Sequence, residues 1–138
     1  MKRMLGRGVV GVCVTLLAAA CAPKPEATIQ TPTEGETLAG PTVTVALGVA
    51  NVELAPAADN RPGTAHHHLF LDVDPTPLGV AIPQGEGITH LGGAQTAWRY
   101  DSLARGPHRL IAVLADPAHV PLAKGKADTV NFIVGPWP

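Results

Sequence analysis

Hydrophobic positions along this chain recur mostly with period two, the spacing of strands that bury one face. Pro41 to Val52 places Val43, Val45, Leu47 and Val49 on one side. His108 to Ala115 aligns Leu110, Ala112 and Leu114, while Ile111 and Val113 make its other side apolar as well. A run that is apolar on both faces predicts a central strand. Shorter runs at Ala27 to Thr31, Ala94 to Tyr100 and Thr129 to Val134 predict three more. The stretch Ala65-His66-His67-His68-Leu69-Phe70-Leu71-Asp72-Val73-Asp74 predicts another, from His66 to Val73. In it Leu69, Leu71 and Val73 share a face with His67, so His66 and His68 point to the opposite one. No segment carries a compelling helical period, and there is no internal repeat.

The intervening segments are turns and loops: Pro32-Thr33-Glu34-Gly35-Glu36, the Pro- and Asp-containing Ala55 to Thr64, and the long irregular passage from Pro75 to Gly93. A passage of that length inside a compact domain is usually functional or disordered. Composition changes the picture only by sharpening it. With 15 glycines, 14 prolines and 4% aromatic residues, the chain suits short strands joined by turns. The expected fold is all-β: an immunoglobulin-like, two-sheet antiparallel sandwich of about seven strands, one domain over residues 27–138.

The first twenty residues form a separate object. Lys2, Arg3 and Arg7 make a positive head, Val9 to Leu17 an apolar run, and Ala18-Ala19-Ala20 a small-residue cleavage site before Cys21. The apolar run is too short to span a bilayer, which needs about 20 residues. Leu17-Ala18-Ala19-Ala20-Cys21 resembles the lipobox of bacterial lipoproteins, whose cysteine is lipidated and becomes the new N-terminus. That resemblance implies lipidation at Cys21, a tether over 21–26 that holds the domain off the membrane, and an exported, membrane-anchored protein. Ala22, which is not Asp, resembles the pattern sent to the outer membrane, periplasmic side, with the inner membrane as the alternative. Protein partners in the envelope then become a further expectation.

Removing the signal also removes Cys13 and both methionines, so the domain holds no disulfide and no soft sulfur ligand. Seven Lys and Arg then face eleven Asp and Glu, a net charge of −4. This argues against nucleic acid as a partner. The only serine is Ser102, beside a turn far from the histidines, so nucleophilic catalysis is not expected and the chain is not read as an enzyme.

Five passages occur in an order and spacing that resemble a known family: His66-His67-His68-Leu69-Phe70-Leu71-Asp72, Ile82-Pro83, His90-Leu91-Gly92-Gly93-Ala94-Gln95-Thr96, Gly106-Pro107-His108-Arg109-Leu110 and Asp116-Pro117-Ala118-His119-Val120-Pro121. They are similar to domain-of-unknown-function family 4399 of bacterial exported proteins, over about Ala65 to Val134. The resemblance implies a fold and no established activity. Leu122 stands where members often have another histidine, and Leu91 where an aromatic is common.

If the His66 strand pairs antiparallel with the His108 strand, as the third and sixth strands of such sandwiches do, the start of one lies beside the end of the other. His66 and His68 then approach Asp116 and His119. The Ala94 strand, running on into the His108 strand, brings His90 to the same pole, while His108 goes to the opposite one. An imidazole set of this kind suits Zn²⁺, Cu²⁺ or Ni²⁺. The candidate metal ligands are His66, His68, His90, His119 and Asp116; His67, Gly92, Gly93 and Gln95 are further ligand-site candidates, and Asp72 and Asp74 weaker ones on the His66 face. The competing reading is structural: the histidines cap strand ends and bond loop carbonyls, with His67 a hydrogen-bonded core residue, His108 a turn residue and Tyr100 a corner tyrosine.

Overall fold

Period-two alternation resolves into two facing sheets in the computed structural model, which describes residues 21–136; the segment read as an export signal, 1–20, lies outside the described residues. β1 (Glu26–Thr31), β3 (Val43–Ala50) and β7 (Ala97–Tyr100) form a three-stranded antiparallel sheet with β3 in the middle. The second sheet orders β2 (Thr37–Leu38), β9 (Asp128–Val134), β8 (Gly106–Ala115), β5 (Thr64–Leu71) and β4 (Glu53–Leu54), with β6 (Ile88–Leu91) also on β5. Seven strands have four residues or more. The two-residue β2 and β4 join β9 and β5 in parallel, and all other pairings are antiparallel. The fold is an immunoglobulin-like β-sandwich.

The core lies where the alternating faces meet. Ala27, Ile29, Val43, Val45 and Leu47 of the small sheet pack on Leu69, Leu91, Leu110, Ala112, Leu114, Val130, Phe132 and Val134 of the large one. Each of the larger of these side chains, the valines, leucines, isoleucine and phenylalanine, contributes about 1.5–3 kcal/mol when fully buried. His67 heads the inward row of β5, with its Nε2 3.3 Å from the Gly48 carbonyl across the sandwich.

The outer face of the large sheet is covered as well. Phe70, Ile111, Val113 and Ala115 form a second apolar cluster with Ile82, against which Val73 and Ile88 pack. The passage read as functional or disordered is therefore ordered, and it lies over β5 and β8 as a cover. It leaves at Leu71, whose N–H donates to the Gly87 carbonyl (2.7 Å), and it is fastened at Ile82, whose N–H donates to the His119 carbonyl (2.8 Å). The two-faced apolarity of β8 has this cover as its cause.

Three sequence expectations are corrected. β5 ends at Leu71 rather than Val73, because Asp72 takes a left-handed φ of 59°. Asp72 and Asp74 thereby leave the His66 face. Asp72 accepts the Arg109 N–H (2.8 Å) and pairs with His108 Nδ1 (2.6 Å), and Asp74 pairs with Arg109 (2.7 Å), all at the pole away from the histidines. Secondly, His90 does not sit in a loop before the Ala94 strand. It lies within β6, an edge strand that pairs directly with β5, while β7 belongs to the other sheet. Thirdly, the first strand begins at Glu26 rather than Ala27, and the residues just before it bond to the domain. Asn51 Nδ2 donates to the Lys24 carbonyl (2.9 Å) and the Lys126 N–H to the Pro25 carbonyl (2.8 Å), so the chain is docked from Lys24 onward.

Candidate metal centre

Register decides which side chains meet. His66 pairs with Ala115 and His68 with Val113 on β8, and on the other side His68 lies opposite His90 of β6. Side chains directly opposite across an antiparallel pair have Cβ atoms about 4.5–5.5 Å apart, so β6 lays its imidazole against that of His68. Their rings stack at 4.8 Å between centroids. The smallness of Ala115 leaves room above His66 for a ring from the turn that follows β8.

That turn is Asp116-Pro117-Ala118-His119, with the aspartate and proline placed as a type I turn prefers. The His119 N–H donates to the Asp116 carbonyl (2.8 Å), and the Asp116 N–H to the Val120 carbonyl (3.0 Å). Asp116 Oδ1 accepts the N–H groups of both Ala118 (2.9 Å) and Val120 (3.0 Å). His119 itself has φ 64°, a left-handed conformation uncommon outside glycine. The turn spends this strain to aim the ring back over the sheet. Its centroid lies 5.1 Å from that of His66 and 4.6 Å from that of His90.

Four of the five predicted ligands thus converge. One ring nitrogen from each of His66, His68, His90 and His119 lies within 4.8 Å of the others, the one such group of His, Cys, Asp and Glu side chains among the described residues. Neighbouring nitrogens around a tetrahedral ion at about 2.05 Å are about 3.3 Å apart, so small rotamer adjustments close the set on an ion. The fifth candidate, Asp116, stands outside this group; its bonded Oδ1 makes it the clamp of the His119 turn. His108 lies at the opposite pole as expected, within β8 rather than in a turn, where Nε2 donates to the Ala104 carbonyl (2.9 Å) and Nδ1 meets Asp72.

The further candidates also play supporting parts. Gly92 must lack a side chain, since a Cβ there would fall on Cε1 and Nε2 of the His90 ring. Its carbonyl accepts the Ala57 N–H (2.9 Å). Gln95 Oε1 accepts the Gly93 N–H (2.7 Å), which closes the turn after β6. The expected Tyr100 corner is a contact with Thr89 instead, hydroxyl to hydroxyl at 3.4 Å.

The buried pair carries the main electrostatic anomaly. His66 and His68 are 1% and 2% exposed, and their Nε2 atoms meet each other at 3.0 Å. Neither Nδ1 has a partner. Of two neutral imidazoles sharing one hydrogen bond, one leaves a buried acceptor unmet and the other a buried donor, each costing about 1–3 kcal/mol. Burial first, then the neighbouring His90 and His119, push His66 down to about 4; burial, then His66, His90 and His119, push His68 down to about 3. Burial and His119 also lower His90. Near neutral pH the buried pair therefore presents lone pairs rather than charge, the state a metal needs.

A cavity of about 330 Å³ opens against His68, His90 and His119, walled by Ile82, Pro83, Gln84, Gly85 and Ile88. These wall residues belong to the cover or to the first position of β6. Ile82-Pro83 is one of the family-like motifs, and the sequence assigns it no role; Leu78 and Val80 in the same passage are as apolar as Ile82, so only the fold shows which of them is buried.

No curated protein matches the chain. Among solved structures, fibronectin(III)-like modules of Clostridium thermocellum CbhA are similar at 10% identity and a TM-score of 0.48, over 79% of this chain and 96% of that one. The PKD domain of human KIAA0319 is similar at 18% identity and a TM-score of 0.41, over 95% of both. An engineered protein is similar at 14% identity and a TM-score of 0.48, over 86% of this chain, which spans only 21% of that one. The family model for "Domain of unknown function (DUF4399)" matches residues 45–135, reaching twenty residues further toward the N-terminus than the motifs suggest and enclosing all four converging histidines; the chain belongs to that family.

Proposed function

We propose that this domain binds a divalent transition metal, Zn²⁺ or Cu²⁺, through His66, His68, His90 and His119, and that it works in the cell envelope, held by lipid at Cys21 to the periplasmic side of the outer membrane. One observation carries the metal reading. His66 and His68, the two buried histidines on the outer face of β5, are bonded only to each other, with both Nδ1 atoms orphaned, while two more rings complete a four-nitrogen set around them. Histidines kept to order loops would bond carbonyls, as His67 does through Nε2 and as His108 does. The His67 Nδ1 is unpartnered too, so the contrast lies in the carbonyl that His66 and His68 lack and in the two rings that join them. Imidazole ligands without thiolate or thioether favour Cu²⁺ and Zn²⁺ over Cu⁺. Cys21 is exposed at the start of the docked segment, which supports its accessibility to modification. The reading assigns no catalytic role to the chain and no nucleic-acid partner.

The test is a metal titration of the soluble chain starting at residue 22, at about pH 7.5. An ion that binds only the native state adds about 2.7 kcal/mol at a hundredfold excess over its dissociation constant. For a domain of this size that is a rise in Tm of about 10 °C. His90→Ala/His119→Ala, which spares the buried pair, should abolish the rise. No shift with either ion would remove the reading.

A further inference from the structure

We propose that an ion held by the four histidines keeps one coordination position open toward the cavity, and that this position takes a small anion. The inference rests on the metal reading above. Its first ground is the asymmetry of the ligand set. His66 and His68 come from the buried sheet, His90 is exposed on an edge strand, and His119 overhangs from the turn. The cavity borders His68, His90 and His119 but not His66, so it lies on the side of the ion away from His66. Liquid water occupies about 30 Å³ per molecule, so about 330 Å³ leaves ample room beside the ion for a small anion.

The second ground is charge. The four imidazoles are neutral and no carboxylate belongs to the set, so the ligands themselves cancel none of the ion's charge, and Asp116, whose charge reaches His66, offsets it only from outside the set. Asp116 Oδ1 is held by two backbone N–H groups, and Glu86 borders a separate hollow with Leu71 and Gly87. The walls are apolar apart from the Gln84 amide and the backbone. A dication at the floor of such a site attracts an anion far more strongly than it would in water. Both Zn²⁺ and Cu²⁺ accept a fifth ligand beside four nitrogens.

Azide is the probe, added to the Cu²⁺-loaded protein. The expected result is a saturable azide-to-copper charge-transfer band with a changed EPR spectrum, one azide per copper, and copper retained through desalting. Gly85→Phe locates the position: a Cβ there meets only Ile88 Cδ1 at 3.8 Å, and the ring would narrow the cavity without touching a ligand. That variant should bind copper as before and azide roughly tenfold more weakly or worse. Copper bound one to one with a spectrum that azide leaves unmoved overturns the open position alone. So does azide that strips the metal, or that binds Gly85→Phe as tightly as the parent. A protein that binds no copper removes the metal reading, and this inference with it.

Discussion

Replacing the buried pair, His66→Leu/His68→Leu, should make the metal-free protein more stable. Leucine is close to histidine in volume, and the two positions adjoin Ala115 and Val113 on an apolar face. The change removes one hydrogen bond, worth about 1 kcal/mol, and two orphaned Nδ1 atoms at about 1–3 kcal/mol each, a net gain on the order of 1–5 kcal/mol at pH 7. The pH dependence separates this cause from mere repacking. Both rings have folded pKa values, about 4 and about 3, below the unfolded value of 6.5. As pH falls below 6.5 the unfolded chain binds protons that the folded one refuses, so stability falls with pH until the folded values are reached. At pH 5 that loss is on the order of 2 kcal/mol per ring. The double variant should lose this part of the slope, keeping only the part due to His67 and His90, which burial also lowers, along with every metal-induced rise in Tm. Urea unfolding in EDTA at pH 7.5, 6 and 5 reads all of it. A double variant that is less stable than the parent at pH 7.5, and that keeps the parent's acid slope in full, would refute the reasoning and return the histidines to a structural role.

Other substitutions probe single supports. Gly92→Ala sets a methyl group into the His90 ring, so Zn²⁺ affinity in a competition assay should fall on the order of 10–100-fold with the circular dichroism spectrum unchanged; unchanged affinity would show that His90 is not a ligand. At the other pole burial opposes charge on His108, but the Ala104 carbonyl and Asp72 outweigh it and raise its pKa. Its stabilisation is present below 6.5 and disappears as pH rises through the raised value. Asp72→Asn should lower the His108 titration in NMR and flatten that part of the stability profile, and a titration that does not move would sink the pairing. Ion binding should slow hydrogen exchange at the Ile82 amide, which donates to the His119 carbonyl, more than at the core amides of β5; equal slowing everywhere would show only global stabilisation. Cys21→Ser should release the protein from the membrane fraction, and retention would remove the lipid anchor.

The alternation of Val43, Val45 and Leu47, and of Leu110, Ala112 and Leu114, made the sandwich legible, since period two with one face buried has few other solutions. The His66 and His68 pairing with the end of β8 followed from it. His90 was brought to the right place by the wrong route: Ile88 to Leu91 is only four residues between glycines, too short for a pattern to declare a strand, and its pairing with β5 is a long-range event that no local signal records. Asp116 could not be sorted from sequence because an aspartate before proline reads equally as a ligand and as a turn former. In the structure its Oδ1 accepts two amide N–H groups and it falls outside the converging group. The role of Gly92 is legible only once the His90 ring has a position.

The cover explains why the site can exist on this fold at all. The outer face of a sandwich strand is normally solvated, and two imidazoles there would simply hydrogen-bond water, at no cost and with no preference for metal. Here Ile82 and Ile88 enclose that face together with Phe70, Ile111 and Val113, so His66 and His68 are dried without being given acceptors. The same loop takes its anchor from the His119 carbonyl, which ties the enclosure to the turn that supplies the fourth ring. Desolvation and ligand placement therefore arise from one element. The two strand-borne rings are fixed by a β5 whose inward side is locked by His67 and Leu69, and the two outer rings sit where they can adjust to an arriving ion.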